Sequence, residues 1–238
     1  MSKFSRKEIV LLRRRQRGYV LLLIFEILLL VLLPMCEEFP PLTSAILTML
    51  AIGLMRFLIL FSSLKRVKVL IWVLGVAAMV MEWTLNFFNI VNSLLGSIIT
   101  PLHLAVWLSF LSYALYRIVL MLMREPYVTY GVILGAAAGY LLIGFAGGVL
   151  LNAIWVFHPE TFNLIQPDQS TNALAAFHAV APKLFTASFG VLTTVGSSLP
   201  KSESVIAQIS SVSITITGQL YVAILISMIL GRFHRFNT

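Results

Sequence analysis

Charged residues are scarce in this chain: they make up 11% of its 238 residues, against 59% apolar, whereas a soluble domain is about 25% charged. That deficit excludes an ordinary soluble domain. The apolar residues are gathered into long runs, so the chain reads as a polytopic membrane protein. Cysteine is nearly absent, and the single Cys36 rules out an intrachain disulfide; with only four scattered histidines no metal-ligand cluster of the usual spacings arises. Glycine-rich phosphate loops, nucleophile elbows and paired catalytic carboxylates are missing as well, so no enzyme and no organic cofactor is expected. Acids are few: 9 Asp and Glu stand against 17 Lys and Arg, a net charge of +8. Most of the positive charges lie in short loops between apolar runs rather than on one soluble face. They are topology signals, and no nucleic-acid partner is expected.

What is present divides the chain in three. Residues 1–17 form a basic, cytoplasmic N-terminal segment with Arg13, Arg14, Arg15 and Arg17, read as a membrane-surface helix that either sets topology or binds anionic lipid. Residues 18–126 hold four spans, at about Gly18 to Leu33, Leu42 to Phe61, Val69 to Ile90 and Leu102 to Met123. The loops between them carry Glu37, Glu38 and Pro41, then Lys65, Arg66 and Lys68, then an uncharged turn through Asn92, Gly96 and Pro101, then Arg124 and Pro126. This alternation of basic and non-basic loops puts both termini in the cytoplasm of a plasma (inner) membrane protein. A voltage sensor needs arginines every third residue along the fourth span, and only Arg117 is there, so field-driven gating is not expected.

Three ionisable residues fall inside these spans, Glu26, Arg56 and Glu82, and intramembrane charge is expensive enough to mark each as a functional candidate. At about 1.5 Å rise per residue, Glu26 and Arg56 both lie roughly 10 Å from the cytoplasmic boundary. The matched depth predicts an ion pair between them, with structural pairing at least as good an account as sensing. Glu82, beside Trp83 in the outer part of its span, is expected to snorkel to the interface.

Residues 127–238 differ in character. The fifth span, about Tyr127 to Phe157, carries Gly131, Gly135, Gly139, Gly144, Gly147 and Gly148, a small-residue pattern expected to pack closely on the last helix. A polar outer loop follows, with Pro167 and Asp168; His103, His158 and His178 fall on this side, but nothing in their spacing gathers them into a pH or metal site. Ala181 to Leu192 is amphipathic and too short to span, as a re-entrant helix would be. In the last span Ser211, Ser213, Thr215 and Thr217 alternate with apolar residues as in a strand, yet a lone strand cannot satisfy its backbone in lipid, so a helix is expected. On that helix Gln208, Ser211, Thr215 and Gly218 or Gln219 form one stripe, readable as a wetted pore wall or as a polar seam between helices.

Between the short helix and the last span stand Thr193, Thr194, Val195, Gly196, Ser197 and Ser198, and Gly218, Gln219, Leu220 and Tyr221 follow within the last span. From about Tyr130 onward this resembles the potassium-channel superfamily of the bacterial two-span and six-span types, whose filters read Thr-Thr-Val-Gly-Tyr-Gly-Asp ahead of a Gly-Gln-Leu-Tyr inner helix. The resemblance implies an all-α membrane protein of six transmembrane helices, with a re-entrant pore helix and filter between the fifth and sixth, assembling as a homotetramer. It implies K+ held by the backbone carbonyls of Thr194, Val195, Gly196 and Ser197, a gating hinge at Gly218, and residues 127–238 as a pore domain. Where the family has Tyr-Gly-Asp this chain has Ser197, Ser198 and Leu199. Loss of the second glycine costs roughly 1–2 kcal/mol if the position stays left-handed, and Leu199 removes the carboxylate that ties the filter to its helix in the family. The inner half is therefore expected to be kept and the outer half to be wider. Three functions remain open: a potassium channel, a channel passing Na+ and K+ alike, and a non-conducting accessory subunit, with room for a separate regulatory subunit.

Overall fold

The computed structural model describes residues 6–39, 41–61, 65–88, 96–125, 129–164, 173–201 and 203–234; Asn92, Pro126, Pro167, Asp168 and the side chain of His178 lie outside them. The described chain is helical throughout: α1 (Arg6–Leu32), α2 (Pro41–Phe61), α3 (Lys65–Phe88), α4 (Gly96–Met123), α5 (Tyr130–Phe157), α6 (Ala173–Leu192) and α7 (Val205–His234). Among the described residues six helices, α1 to α5 and α7, are long and apolar enough to cross a membrane. The alternating stretch in the last span is helix, its hydroxyls turned back on the helix's own carbonyls, as Ser213 Oγ donates to Ile209 O and Thr217 Oγ1 to Ser213 O. In apolar surroundings that bond spares a hydroxyl the cost of going unpaired.

Two boundaries differ from the sequence reading. The basic segment is no separate surface helix from Arg6 on; it is the opening turns of α1. Arg, Leu, Lys and Glu are all good helix formers and nothing before Gly18 breaks the helix, while Gly18 itself is seated against Phe57 and Phe61 of α2. Similarly α4 starts at Gly96, with Pro101 inside it, at the cost of one backbone bond.

Helix α5 is the hub, packing against α1, α4, α6 and α7. Its glycines serve three partners rather than the last helix alone. Gly131 and Gly135 lie under Gln16 and Tyr19 of α1, Gly144 and Gly148 receive the rings of Phe189 and Phe185 of α6, and Gly139 meets Tyr221 of α7. Gly147 faces both Ser188 of α6 and Ile214 of α7. The Ser188 hydroxyl donates to Gly144 O at 2.8 Å, a helix-to-backbone bond that requires this close approach. At the other end of the bundle Arg15 pairs with the buried Glu125, whose Oε1 also accepts from Tyr19 at 3.4 Å. That contact fastens α1 to the segment that leads from α4 into α5.

The seat of Phe185 yields a direct test. Gly148→Ala places a methyl in the ring's position and should cost about 1–3 kcal/mol by overpacking, read as a lower thermal midpoint in detergent. Adding Phe185→Leu to Gly148→Ala should recover part of that loss; strictly additive losses would contradict the packing.

Candidate pore loop and buried polar residues

Helix α6 is 20 residues long, and its described side chains, from Val180 on, include Lys183. It is thus longer than the segment read from sequence, with Pro182 inside it. Its inner face rests on the glycines of α5, and its C-terminal end delivers the chain into the loop 193–200.

That loop is held at both ends by backbone bonds. Thr193 N donates to Phe189 O at 3.0 Å, Thr194 N to Val191 O at 3.1 Å, and Gly196 N returns to Gly190 O at 2.9 Å. A Cβ on Gly190 would lie 2.5 Å from Gly196 O, so the return is possible only over a glycine. Two neighbouring helices complete the seat: Tyr140 of α5 donates to Leu192 O at 2.9 Å and Thr215 of α7 to Val191 O at 3.1 Å. Thr194 and Gly196 both have positive φ, 62° and 88°, on either side of Val195. For a β-branched residue such as Thr194 that conformation is an outlier, held by its surroundings at a cost of order 1–3 kcal/mol. Among the described residues no other position is left-handed, so Ser197 and Ser198 do not continue the pattern.

The outer half is tied elsewhere. Asn163, just beyond α5, donates its backbone N–H to Leu199 O at 2.6 Å and its Nδ2 to Ser198 O at 2.9 Å. Phe162 and Pro200 form an isolated antiparallel bridge, and Lys201 N donates to Thr161 O at 2.9 Å. No family model, curated protein or solved structure matches the chain. What the site does must be argued from these residues.

Thr193, Thr194, Val195, Gly196 and Ser198 are exposed on the single chain, Val195 to 85%, and Ser197 is half-buried. The stripe on α7 is split: Gly218 is buried against Leu192 and Tyr140, Thr215 and Ser211 sit at the edge of that contact, and Gln208 and Gln219 are exposed. Half of it is therefore the seat of the loop.

Of the intramembrane charges, the Glu26 to Arg56 pair is not formed. Glu26 is fully buried on the face of α1 that carries Tyr19, Leu22 and Leu29, with no hydrogen-bond partner for either oxygen among the described residues. Arg56 is exposed, in line with Ile52 and Leu60 on the opposite side of α2. One side chain points into the core and the other out of it.

Glu82 does not snorkel either. It is 2% exposed; its Oε1 accepts from Ser44 Oγ of α2 at 2.6 Å, and its Oε2 lies 2.7 Å from His103 Nε2 of α4 and accepts from Trp107 Nε1 at 3.2 Å. Nearby, Trp83 Nε1 donates to Thr48 Oγ1 at 3.0 Å. A carboxylate so surrounded joins three helices through charge-assisted bonds. Sequence spacing hid it, since its partners sit on separate helices. Asn163 and Tyr140 were missed for the same reason.

Two outcomes follow from this geometry. Asn163→Ala removes one bond to the outer loop, about 0.5–1.5 kcal/mol, and should speed hydrogen exchange at 197–201 while leaving α6 unchanged. Arg56→Ala should shift detergent stability by no more than about 0.5 kcal/mol, additively with Glu26→Gln; a coupled loss would restore the ion pair.

Proposed function

We propose that the chain is one quarter of a tetrameric pore-loop cation channel, passing K+ along the backbone carbonyls of Thr194, Val195, Gly196 and Ser197. The observation that carries this reading is the left-handed backbone at Thr194 and Gly196 around Val195, directly after the end of α6. In an extended L-peptide successive carbonyls point to opposite sides. Alternating left- and right-handed residues turns them to the same side, which is the arrangement a dehydrated cation needs. The α6 dipole adds partial negative charge at its C-terminal end, beside the loop.

One chain cannot enclose an ion path. Val195 is exposed beside the loop, and α7 leaves Val205, Ile209, Val212, Ile216 and Leu220 exposed along one broad side. Irregular backbone within a bilayer must be covered by protein or line water. Four copies around the loop meet that requirement, with α6 re-entrant and α7 lining the path below it. The positive-inside rule puts the termini in the cytoplasm of a plasma membrane, the basic start of α1 lying against anionic lipid.

A second reading, a channel passing Na+ and K+ alike, is favoured by one observation: the alternation stops at Gly196. Ser197 and Ser198 then contribute a looser outer half.

Purified protein in planar bilayers under opposed K+ and Na+ gradients should give a reversal potential displaced from zero toward the K+ equilibrium value. The variant Ser197→Tyr, Ser198→Gly, Leu199→Asp should move it further. Reversal at zero that moves only in the variant would establish the non-selective channel; absence of current from both, or a monomer by mass in mild detergent, would overturn the pore reading in favour of an accessory subunit.

A further inference from the structure

Arg56 is an intramembrane charge that the bundle leaves uncovered. It stands five residues short of the end of α2 at Phe61, about 7 Å inside it, in an exposed stripe with Met49, Ile52 and Leu60. Among the described residues it has no ion pair and no hydrogen bond. The chain's own acids do not supply a counter-charge: Glu26, Glu82 and Glu125 are buried, and Glu37, Glu38, Glu160 and Glu203 lie at the opposite end of the bundle. A guanidinium stays charged in any protein surrounding. Its partner has to come from outside the bundle.

Two helix seams fix what stands around Arg56. Gly53 of α2 lies under the Phe25 ring of α1 and Gly18 of α1 under the rings of Phe57 and Phe61, so the antiparallel register puts Arg56 between the levels of Gly18 and Phe25. Arg17 and Arg14 then stand about 8 Å and about 12 Å nearer the basic end of α1, and Glu8 about 20 Å. Both arginines are exposed, in one stripe with Leu21, Ile24 and Leu28. Each helix buries its other side, Tyr19, Leu22 and Leu29 on α1 and Leu50, Leu54 and Leu58 on α2, so the two stripes face outward together. Across the second seam Met55 of α2 meets Gly75 of α3, and Trp83 donates to Thr48 at 3.0 Å. Trp72, about three turns from Trp83 on the same face of α3, is level with Arg56 to within about one turn; it is 56% exposed.

We propose that Arg56 and Arg17 hold the phosphate of one anionic glycerophospholipid on the outer side of α2, between the exposed stripes of α1 and α3. Arginine presents paired N–H donors that match two phosphate oxygens, and its long stem lets the head of Arg56 reach up toward the headgroup level. A tryptophan at that level is at home at the border of the hydrocarbon, and Ile24 and Ile52, farther from the basic end, give the acyl chains an apolar wall. A zwitterionic lipid brings an ammonium along with its phosphate, which Arg14 and Arg17 repel. A lipid of net negative charge is the fitting occupant. This is more than a basic segment drawn to a charged surface, because its deepest donor lies on α2, below the headgroups. The site rests on α1, α2 and α3 crossing the bilayer and not on conduction.

The test is native mass spectrometry of the delipidated full chain in mild detergent, titrated with phosphatidylglycerol or with phosphatidylcholine of the same acyl chains. The first phosphatidylglycerol should bind about tenfold more tightly than phosphatidylcholine, the worth of one charge-assisted bond. Arg56→Leu should abolish that preference, and Arg56→Lys should keep part of it, since lysine retains the charge without the paired donors. Arg124→Leu, which removes an exposed charge at the same end of the bundle, should leave it unchanged. Thermal midpoints without lipid check that each variant is folded, and added phosphatidylglycerol should raise the midpoint of wild type but not of Arg56→Leu. Equal affinity of wild type for the two lipids, or equal losses in Arg56→Leu and Arg124→Leu, would overturn the site in favour of diffuse surface attraction. Displacement of the lipid by millimolar inorganic phosphate would overturn it in favour of a free-anion site. These readouts need no current, so a silent bilayer would count against the channel reading alone.

Discussion

A non-helical turn between two apolar helices has to find partners for its peptide groups inside the protein, since neither lipid nor apolar side chains supply any. The loop 193–200 meets this constraint with bonds from four sources. Gly190 accepts the Gly196 amide, Tyr140 and Thr215 donate to the last carbonyls of α6, and Asn163 holds Ser198 and Leu199. Each bond requires a helix at a fixed distance, and the glycine face of α5 sets that distance. Without Gly144, Gly147 and Gly148, α6 could not approach closely enough for Ser188 to reach Gly144 O, and Tyr140 would be carried away from Leu192.

The same economy governs the charges. Burying a carboxylate is costly unless donors surround it, and the buried Glu82 and Glu125 each join elements distant in sequence. Glu82 draws α2, α3 and α4 together at one end of the bundle; Glu125 holds α1 to the α4 exit at the other. These are register-setting contacts, because a helix displaced by one turn, about 5.4 Å, breaks them. Glu26 has no such set of donors among the described residues.

Much of this was legible in the sequence and part was not, for a physical reason. Helix existence follows from apolar run length, which is a one-dimensional property, and the span at 42–61 agrees with α2 to within one residue. Depth is one-dimensional too, and depth alone is what the expected Glu26 to Arg56 pair rested on. Azimuth is not: which side of α1 or α2 faces the core depends on what packs there, and Arg56 points away from Glu26. The α5 glycines reveal close approach by their spacing without naming the partner, and α1 and α6 between them took four of the six positions assigned to α7. Asn163 and His103 left no local signal, since each acts on a residue at least 20 positions away.

The two anchors of the loop have different mechanical origins. Its first half hangs from the C-terminal turn of α6 and is clamped by α5 and α7 through side chains buried in the bundle. Among the described residues the second half is tied by hydrogen bonds to the turn after α5, through Asn163, Thr161 and Phe162. A strand fixed to one body at one end and to another at the other transmits any relative movement of the two into its middle, near Gly196. Strain is already stored on the inner side of that point, at Thr194, where the clamp is strongest, so the outer serines are the part free to adjust. A loop built this way has a fixed inner half and an outer half with room to yield.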